Sequence, residues 1–122
     1  MSAPRHAPIY KIVPELVWRA AVAAGHFDGA GVDLADGYIH FSTAAQVEAT
    51  AATHFAAQAG LLLVAVDPGA LGAALRWEPA RGGALFPHLY QRLTLAAVCW
   101  TARLPVGPDG RHVFPPVGLA LH

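Results

Sequence analysis

The chain has 122 residues, of which 55% are hydrophobic and 13% charged, and its formal net charge at pH 7 is +0. This length is typical of a single domain, and the hydrophobic content excludes an intrinsically disordered chain, which combines low hydrophobicity with high net charge. A neutral chain also lacks the basic surface with which nucleic-acid-binding proteins neutralise phosphates, so we expect no nucleic-acid partner.

The apolar segments are too short for a helical membrane protein. The unbroken apolar run Leu61–Val66 is far shorter than the roughly 20 residues of a membrane-spanning helix, so we expect no membrane partner and a cytoplasmic protein. The low net charge opposes self-association only weakly, which leaves both a monomer and a homodimer open. The one cysteine, Cys99, excludes an intramolecular disulfide and is expected to be a small buried side chain.

Proline and glycine residues mark the ends of the first predicted elements. Residues 1–8 are expected to form a flexible N-terminal tail, and residues 9–122 a single globular domain. Residues 9–13 form a β-type run that ends at Pro14, where a helix is predicted to begin, and Gly25 is predicted to end that helix. Helical spacing predicts that its buried face consists of Leu16, Val17, Ala20, Ala21 and Ala24.

A glycine- and aspartate-rich loop is predicted over residues 26–37, followed by a strand over residues 38–42. The strand alternates, and Ile39 and Phe41 share its apolar face. The other face carries Tyr38, His40 and Ser42. Such alternation indicates that the polar face lies outside the apolar core.

A second helix is predicted to begin at Thr43, because Gln46 follows three residues later as in a capping box, and Gly60 is predicted to end it. Free N–H groups at its start would favour an anionic ligand group near Ser42 and Thr43. Its inward stripe is predicted to be Val47, Ala51, His54, Phe55 and Gln58. This position makes His54 an expected core histidine.

The second half of the chain is rich in β-type runs. Leu61–Val66 is apolar on both faces and is predicted to be a central strand covered on both sides. A short strand follows over residues 75–78, then a loop over residues 79–83 and a long β-type run over residues 93–104. The order of elements predicts an α+β fold, with a mixed, mainly antiparallel sheet and two main helices on one side of it.

Three titratable residues are the candidates for catalysis, namely Glu78, His40 and His88. Glu78 follows Trp77, and partial desolvation by this large ring would raise the pKa of the carboxyl group and suit acid–base chemistry. His88 lies among apolar residues, which is typical of a half-buried imidazole. The candidate ligand-binding residues are polar or aromatic residues of the same and neighbouring segments: Tyr10, Tyr38, Ser42, Thr43, Arg81, Phe86 and Tyr90.

Simpler explanations stay open for these residues. Glu78 can be a solvated residue of an edge strand, and the polar face around His40 can be an ordinary surface beside a helix cap. A metal site of His40, His88 and Glu78 is a further alternative, but the seven histidines show no zinc-binding spacing, so we expect no metal. Ser42 lacks the GxSxG motif of many serine hydrolases.

Several motifs of the chain resemble a known family. Residues 36–43 (DGYIHFST) together with Gln46, residues 75–78 (LRWE) and residues 86–90 (FPHLY) are similar to motifs of the bacterial family called domain of unknown function 952. The resemblance covers nearly the whole chain, from Ile9 to Leu104.

This resemblance implies a comparison with ADP-ribosyltransferases, small α+β proteins whose split sheet binds NAD in a cleft. Glu78 would then stabilise an oxocarbenium-like ribose, while His40, His88 and Tyr90 would hold the ribose or stack on nicotinamide. No cofactor is certain on this basis, and NAD is a candidate substrate. We therefore expect a domain that binds or acts on NAD or a nucleotide-like small molecule, by glycosyl or ADP-ribosyl transfer or hydrolysis if it is an enzyme. The alternative is a non-catalytic ligand-binding or self-associating domain.

Overall fold

The computed structural model describes residues 7–80 and 82–118. Part of the predicted tail (residues 1–6), Arg81 and residues 119–122 lie outside the described residues. The helices are α1 (Glu15–Ala24), α2 (Val32–Asp36) and α3 (Ala44–His54). The strands are β1 (Ile9–Pro14), β2 (His26–Phe27), β3 (Ile39–His40), β4 (Leu61–Val66), β5 (Leu75–Ala80), β6 (Ala84–Leu89), β7 (Leu93–Thr94) and β8 (Val98–Leu104). Short 3₁₀ turns lie at Pro68–Ala70, Gly72–Ala74 and Leu95–Ala97.

The strands of the described chain form three sheets, with the orders β1-β4-β8, β2-β7 and β3-β6-β5. Every pairing within them is antiparallel. The α+β class with mainly antiparallel sheets is therefore confirmed. The predicted central strand is also confirmed, because β4 lies between β1 and β8 and all its residues are buried.

The hydrophobic core consists of two clusters, one on each face of the β1-β4-β8 sheet, because side chains of a strand alternate between faces. Val64 of β4 belongs to the first cluster, which Trp18 of α1 covers. Leu63 of β4 belongs to the second cluster, which Val47 of α3 covers. The two main helices thus lie on opposite sides of the sheet, and the expectation of helices on one side is wrong.

The buried face of α1 is narrower than helical spacing predicted. Trp18 and Ala21 are its buried residues, whereas Leu16 is 76% exposed. The large indole of Trp18 packs on Phe27, with ring centroids 5.7 Å apart, and fills the space between helix and sheet. Gly25 ends the helix as predicted, in the left-handed conformation (φ 89°) that glycine adopts without strain. The residues expected on the buried face but exposed are Leu16, Val17, Ala20 and Ala24.

The start of α3 agrees with the prediction, but its end does not. Thr43 is the N-cap residue, and its backbone N–H donates to the side chain of Gln46 at 3.0 Å. The helix ends at His54, before Gly60, and the chain then passes through Ala57 in a positive-φ conformation (φ 59°). His54 and Gln58 are exposed, so the prediction of a core histidine is wrong.

Two segments contain more structure than predicted. The loop expected over residues 26–37 contains β2, which pairs with β7, and the short helix α2. The single run expected over residues 93–104 is divided into β7, a 3₁₀ turn and β8, because β7 and β8 pair with strands of different sheets. The strand expected over residues 75–78 continues to Ala80, so the predicted loop is shorter.

Cys99 is exposed, which contradicts the prediction of a buried thiol. Val98 pairs with Val66 and Trp100 pairs with Ala65, so Cys99 is the extra residue of a β-bulge. A bulge interrupts the alternation of side chains between the two faces of the sheet, and the Cys99 side chain is exposed here.

Candidate functional site

The β3-β6-β5 sheet brings the three candidate catalytic residues together. Antiparallel pairing sets His40 of β3 opposite His88 of β6, and His88 opposite Arg76 of β5. Glu78 lies two residues beyond Arg76 on the same face of β5. Three segments that are distant along the chain therefore supply neighbouring side chains.

Tyr38 lies at the centre of these side chains. Its ring stacks on the imidazole of His88, with centroids 4.3 Å apart and ring planes 25° apart. The centroids of Tyr38 and His40 are 4.5 Å apart, and those of Tyr38 and Tyr90 are 5.0 Å apart. His40 and His88 are 5.2 Å apart. We call Tyr38, His40, His88 and Tyr90 the ring cluster.

One carboxylate oxygen of Glu78 links two members of the ring cluster. Oε1 of Glu78 accepts a hydrogen bond of 2.6 Å from the Tyr90 hydroxyl and lies 2.8 Å from Nδ1 of His88. The Glu78 side chain is 34% exposed, whereas that of His88 is only 5% exposed. His88 is thus an enclosed partner of a carboxylate that solvent still reaches.

The pKa of Glu78 lies below its ordinary value, first because Tyr90 donates a hydrogen bond to the carboxylate and next because His88 does. The expected rise in pKa beside Trp77 is therefore wrong. Trp77 precedes Glu78 in the strand, points to the opposite face and is 46% exposed. Glu78 is suited to stabilise positive charge as an ionised group, and not to donate a proton.

The second histidine, His40, lies between two aspartates of α2. Its Nδ1 is 2.6 Å from Oδ1 of Asp33, and its Nε2 is 3.0 Å from Oδ2 of Asp36. The contact with Asp33 is a hydrogen bond, whereas that with Asp36 is an ion-pair contact, which requires a protonated imidazole. The imidazole is 28% exposed, so unlike His88 it is open to a ligand.

Asp33 is the residue of the site that sequence reasoning missed. Its carboxylate is fully enclosed and forms a salt bridge of 2.8 Å with Lys11 of β1. Burial would raise the pKa of Asp33, but Lys11 and the hydrogen bonds from Ala30 and His40 hold it below the ordinary value. Burial lowers the pKa of Lys11, and Asp33 opposes this effect. A single signal pointed here: Lys11 is the only lysine and interrupts an otherwise apolar strand.

Ser42 does not lie beside His40 as predicted. It is 3% exposed, and its hydroxyl is 2.8 Å from that of Thr50 on α3. The predicted strand divides at this point, because His40 pairs within the β3-β6-β5 sheet whereas Ser42 bridges to Tyr10 of β1. The chain thus passes from one sheet to another, and Ser42 turns toward α3.

The remaining candidate ligand-binding residues have varied positions. Tyr10 is buried, and its hydroxyl accepts a hydrogen bond of 2.8 Å from the backbone N–H of Gly118. Thr43 caps α3, and Phe86 is buried opposite Glu78 in the pairing of β5 with β6. Arg81 lies outside the described residues. Within the described chain, Tyr38 and Tyr90 are the ligand-binding candidates that join the ring cluster.

Two of the hollows on the surface of the described chain adjoin candidate ligand-binding residues. One of about 220 Å³ adjoins the ring cluster and is lined by Asp28, Asp33, Leu34, Gly37, Tyr38, Ile39, Leu89, Tyr90 and Gln91. Glu78, His40 and His88 are not among its lining residues. The other, of about 310 Å³, is mainly apolar and is lined by Pro8, Tyr10, Trp100, Ala102, Pro115 and Pro116.

Residues 7–80 and 82–118 contain no group of three or more His, Cys, Asp or Glu side chains arranged to hold a metal ion. The same part of the chain contains no helix that is both long and apolar enough to cross a bilayer.

These features define a small α+β domain in which two histidines, each in contact with carboxylates, surround one tyrosine. The chain belongs to the family described as Protein of unknown function (DUF952), whose model matches residues 12–101, and the sequence resemblance is confirmed. It is similar to the X-ray crystal structure of Protein CC0527 from Caulobacter crescentus, with TM-score 0.84 and 48% identity over 87% of this chain and 93% of that chain. The solution NMR structure of CC0527 gives TM-score 0.77 and 49% identity over 85% and 90% of the two chains. No curated protein matches the sequence of this chain.

Proposed function

We propose that the ring cluster and Glu78 bind a nucleotide-like small molecule such as NAD and act on its ribosyl bond. The observation that carries the proposal is the convergence of Glu78, His40 and His88 around Tyr38. Aromatic faces bind bases and nicotinamide rings by stacking, and an ionised carboxylate stabilises a sugar that develops positive charge. The comparison of the family fold with ADP-ribosyltransferases agrees with this chemistry but cannot carry it alone.

The roles of the two histidines differ in this proposal. His88 is enclosed and bonded to Glu78, so it orients the carboxylate without touching the ligand. His40 is more open, and a ligand oxygen can replace Asp36 at its Nε2. When the bond between ribose C1′ and nicotinamide breaks, nicotinamide leaves with the bonding electrons and Glu78 faces the resulting positive charge. Water or another nucleophile then attacks C1′ and loses its proton to solvent.

The size of the neighbouring hollow limits how such a ligand can bind. Its volume of about 220 Å³ is below the roughly 300–1,000 Å³ that is usual for sites enclosing a drug-sized molecule. We expect the hollow to take one ring or head group, and the rest of the ligand to lie over the surface near Tyr90 and Arg76. The Arg76 guanidinium, 4.8 Å from the Tyr90 ring centroid, would supply positive charge to a phosphate there.

The test is a binding and turnover assay with NAD, ADP-ribose and simple nucleotides. A ligand present at 100 times its Kd should raise the free energy of unfolding by about 2.7 kcal/mol. Glu78→Gln should reduce turnover about a hundredfold or more, because it removes the stabilising charge. Its free energy of unfolding should fall by only about 0.5–1.5 kcal/mol, because the amide oxygen of glutamine can still accept a hydrogen bond from Tyr90.

Glu48→Gln, which changes an exposed glutamate of α3, is the matched control and should keep full turnover. Full turnover by the Glu78→Gln variant would show that the carboxylate has no catalytic role. Loss of the folded state in that variant would show that Glu78 is structural.

A non-catalytic ligand-binding domain is the second candidate. The observation that favours it is that the neighbouring hollow is lined by Tyr38 and Tyr90 but not by the three titratable candidates. Under this alternative a nucleotide stabilises the fold, but no product forms and Glu78→Gln leaves binding unchanged.

Under either proposal the chain acts in the cytoplasm as a monomer or a homodimer. Sedimentation measured at several protein concentrations distinguishes these two states.

A further inference from the structure

The carboxylate of Asp33 is held by hydrogen-bond donors from three parts of the chain. Oδ2 is 2.8 Å from Nζ of Lys11 and accepts a bond of 3.0 Å from the backbone N–H of Ala30. Oδ1 lies 3.1 Å from the backbone N–H of His40 and 2.6 Å from its ring Nδ1. Because both oxygens are engaged and the side chain is enclosed, the carboxylate has a single orientation.

We propose that Asp33 is a positioning residue that fixes the His40 ring with Nδ1 turned inward and Nε2 turned toward the ligand. Its effect on ligand binding rests on the proposed function of the ring cluster. The same oxygen of Asp33 accepts from the backbone and the ring of His40, which ties the ring to the strand that carries it. The hydrogen bond between Nδ1 of the His40 ring and Asp33 is short, as is usual when one of the two groups is ionised. It requires the hydrogen of Nδ1, so the nitrogen left for a ligand is Nε2.

The two aspartates that contact His40 are not equivalent. The Asp33 side chain is 0% exposed, whereas that of Asp36 is 47% exposed. Water competes for an exposed ion pair, so the contact between Asp36 and Nε2 is easily exchanged. Asp33 therefore sets the orientation of the ring, while Asp36 occupies a position that an acceptor oxygen of a ligand can take. The ligand class that suits Nε2 is one with a phosphate, carboxylate or hydroxyl oxygen.

The experiment compares histidine ring spectra of full-length variants by ¹H–¹⁵N NMR. Asp33→Asn alone removes the counterion of a buried ammonium and can unfold the chain, so it is combined with Lys11→Met. The wild type should show a downfield Nδ1 proton for His40, as expected for a short bond to a carboxylate. The double variant should lose this signal or shift it upfield. Asp36→Asn, the matched control, should keep it. An unchanged His40 spectrum in a folded double variant would overturn the proposal.

Binding is then measured with ADP-ribose as the probe. The double variant should bind roughly tenfold to a hundredfold more weakly, the range found when the residue that orients a ligating histidine is changed. Asp36→Asn should bind at least as tightly as the wild type, because an internal competitor for Nε2 is weakened. Equal affinity of the double variant and the wild type would show that Asp33 serves only the fold. If the wild type binds no probe, the proposed function fails, and the ring spectra alone decide whether Asp33 orients His40.

Discussion

The hydrogen bond between Tyr90 and Glu78 determines which chemistry this carboxylate can perform. A hydroxyl that donates to a carboxylate stabilises its ionised form, so the pKa of Glu78 falls and that of Tyr90 rises. A group with a lowered pKa is a poor proton donor near neutral pH. At the scale of the residue, Glu78 is therefore better suited to stabilise positive charge than to act as a general acid.

Tyr90→Phe should raise the pKa of Glu78 toward its ordinary value of 4.5, because the change removes the largest cause of the lowering. A lowered carboxyl pKa stabilises the fold above the unfolded pKa, and this contribution is lost as pH falls through the folded pKa. The loss begins near the unfolded pKa, which the change does not alter, so in the Tyr90→Phe variant the total loss should be smaller and should be complete at a higher pH. Carboxyl ¹³C chemical shifts, followed between pH 2 and pH 7, measure the change. Trp77→Phe, on the opposite face of β5, is the control. Equal titration of Glu78 in the wild type and the Tyr90→Phe variant would contradict the argument.

Sequence patterns selected residues that the structure brings together in the candidate site, but they missed the buried ion pair of Asp33 and Lys11 beside it. Residues such as His40 and Glu78 are identifiable because strand alternation and family motifs mark them. Asp33 was one of three aspartates in a glycine-rich segment, and such residues commonly form turns. Its pairing with Lys11 joins residues 22 positions apart through tertiary packing. Local periodicity carries no information about a contact of this kind.

At the scale of the element, Gln46 joins the first turn of α3 to the sheet of the site. Its Oε1 accepts from the backbone N–H of Thr43 at 3.0 Å, and its Nε2 donates to the carbonyl of Leu85 in β6 at 2.8 Å. The capping box was predictable because its two residues are three positions apart. The bond to β6 was not, because 39 positions separate its partners.

Gln46→Ala should lower the free energy of unfolding by about 1–2 kcal/mol, since it removes both hydrogen bonds. Gln46→Glu is the matched variant, because it keeps the acceptor for Thr43 and loses only the donor to Leu85. It should cost about half as much. Urea denaturation followed by circular dichroism measures both values. An equal loss for Gln46→Glu and Gln46→Ala would show that the bond to Thr43 contributes nothing to stability.

The division of residues 93–104 shows the limit of prediction for whole elements. The run is rich in β-type residues throughout, yet Leu93 pairs with Phe27 while residues from Val98 onward pair with β4. Which sheet a residue joins depends on contacts distant in sequence. Composition can therefore predict extended structure here but not the 3₁₀ turn at Leu95–Ala97 that joins the two strands.

At the scale of the whole molecule, strand β4 contributes residues to both apolar clusters. Helix α1 covers the first cluster and helix α3 covers the second. Val64 belongs to the first cluster, together with Trp18. Its neighbour Leu63 belongs to the second cluster, and Trp100 packs against that cluster. Both residues are 0% exposed. Because one cluster cannot lose β4 without exposing the apolar side chains of the other, we infer that the two clusters unfold together.

Leu63→Ala tests this coupling, because it removes buried apolar volume from the second cluster alone. The change should lower the free energy of unfolding by about 2–5 kcal/mol, the range for truncation of a buried leucine. Two parent chains, each retaining one tryptophan (Trp18 or Trp100) and phenylalanine at the other two positions, report on the separate clusters by fluorescence during urea denaturation. If β4 couples the clusters, Leu63→Ala shifts the urea midpoints of both tryptophan signals equally.

Leu16→Ala, at a residue that is 76% exposed, is the control and should change the free energy of unfolding from either signal by no more than about 0.5 kcal/mol. A shift confined to the Trp100 signal would mean that the clusters unfold independently. The ring cluster, which adjoins Ile39 and Leu89 of the first cluster, would then tolerate damage to the second.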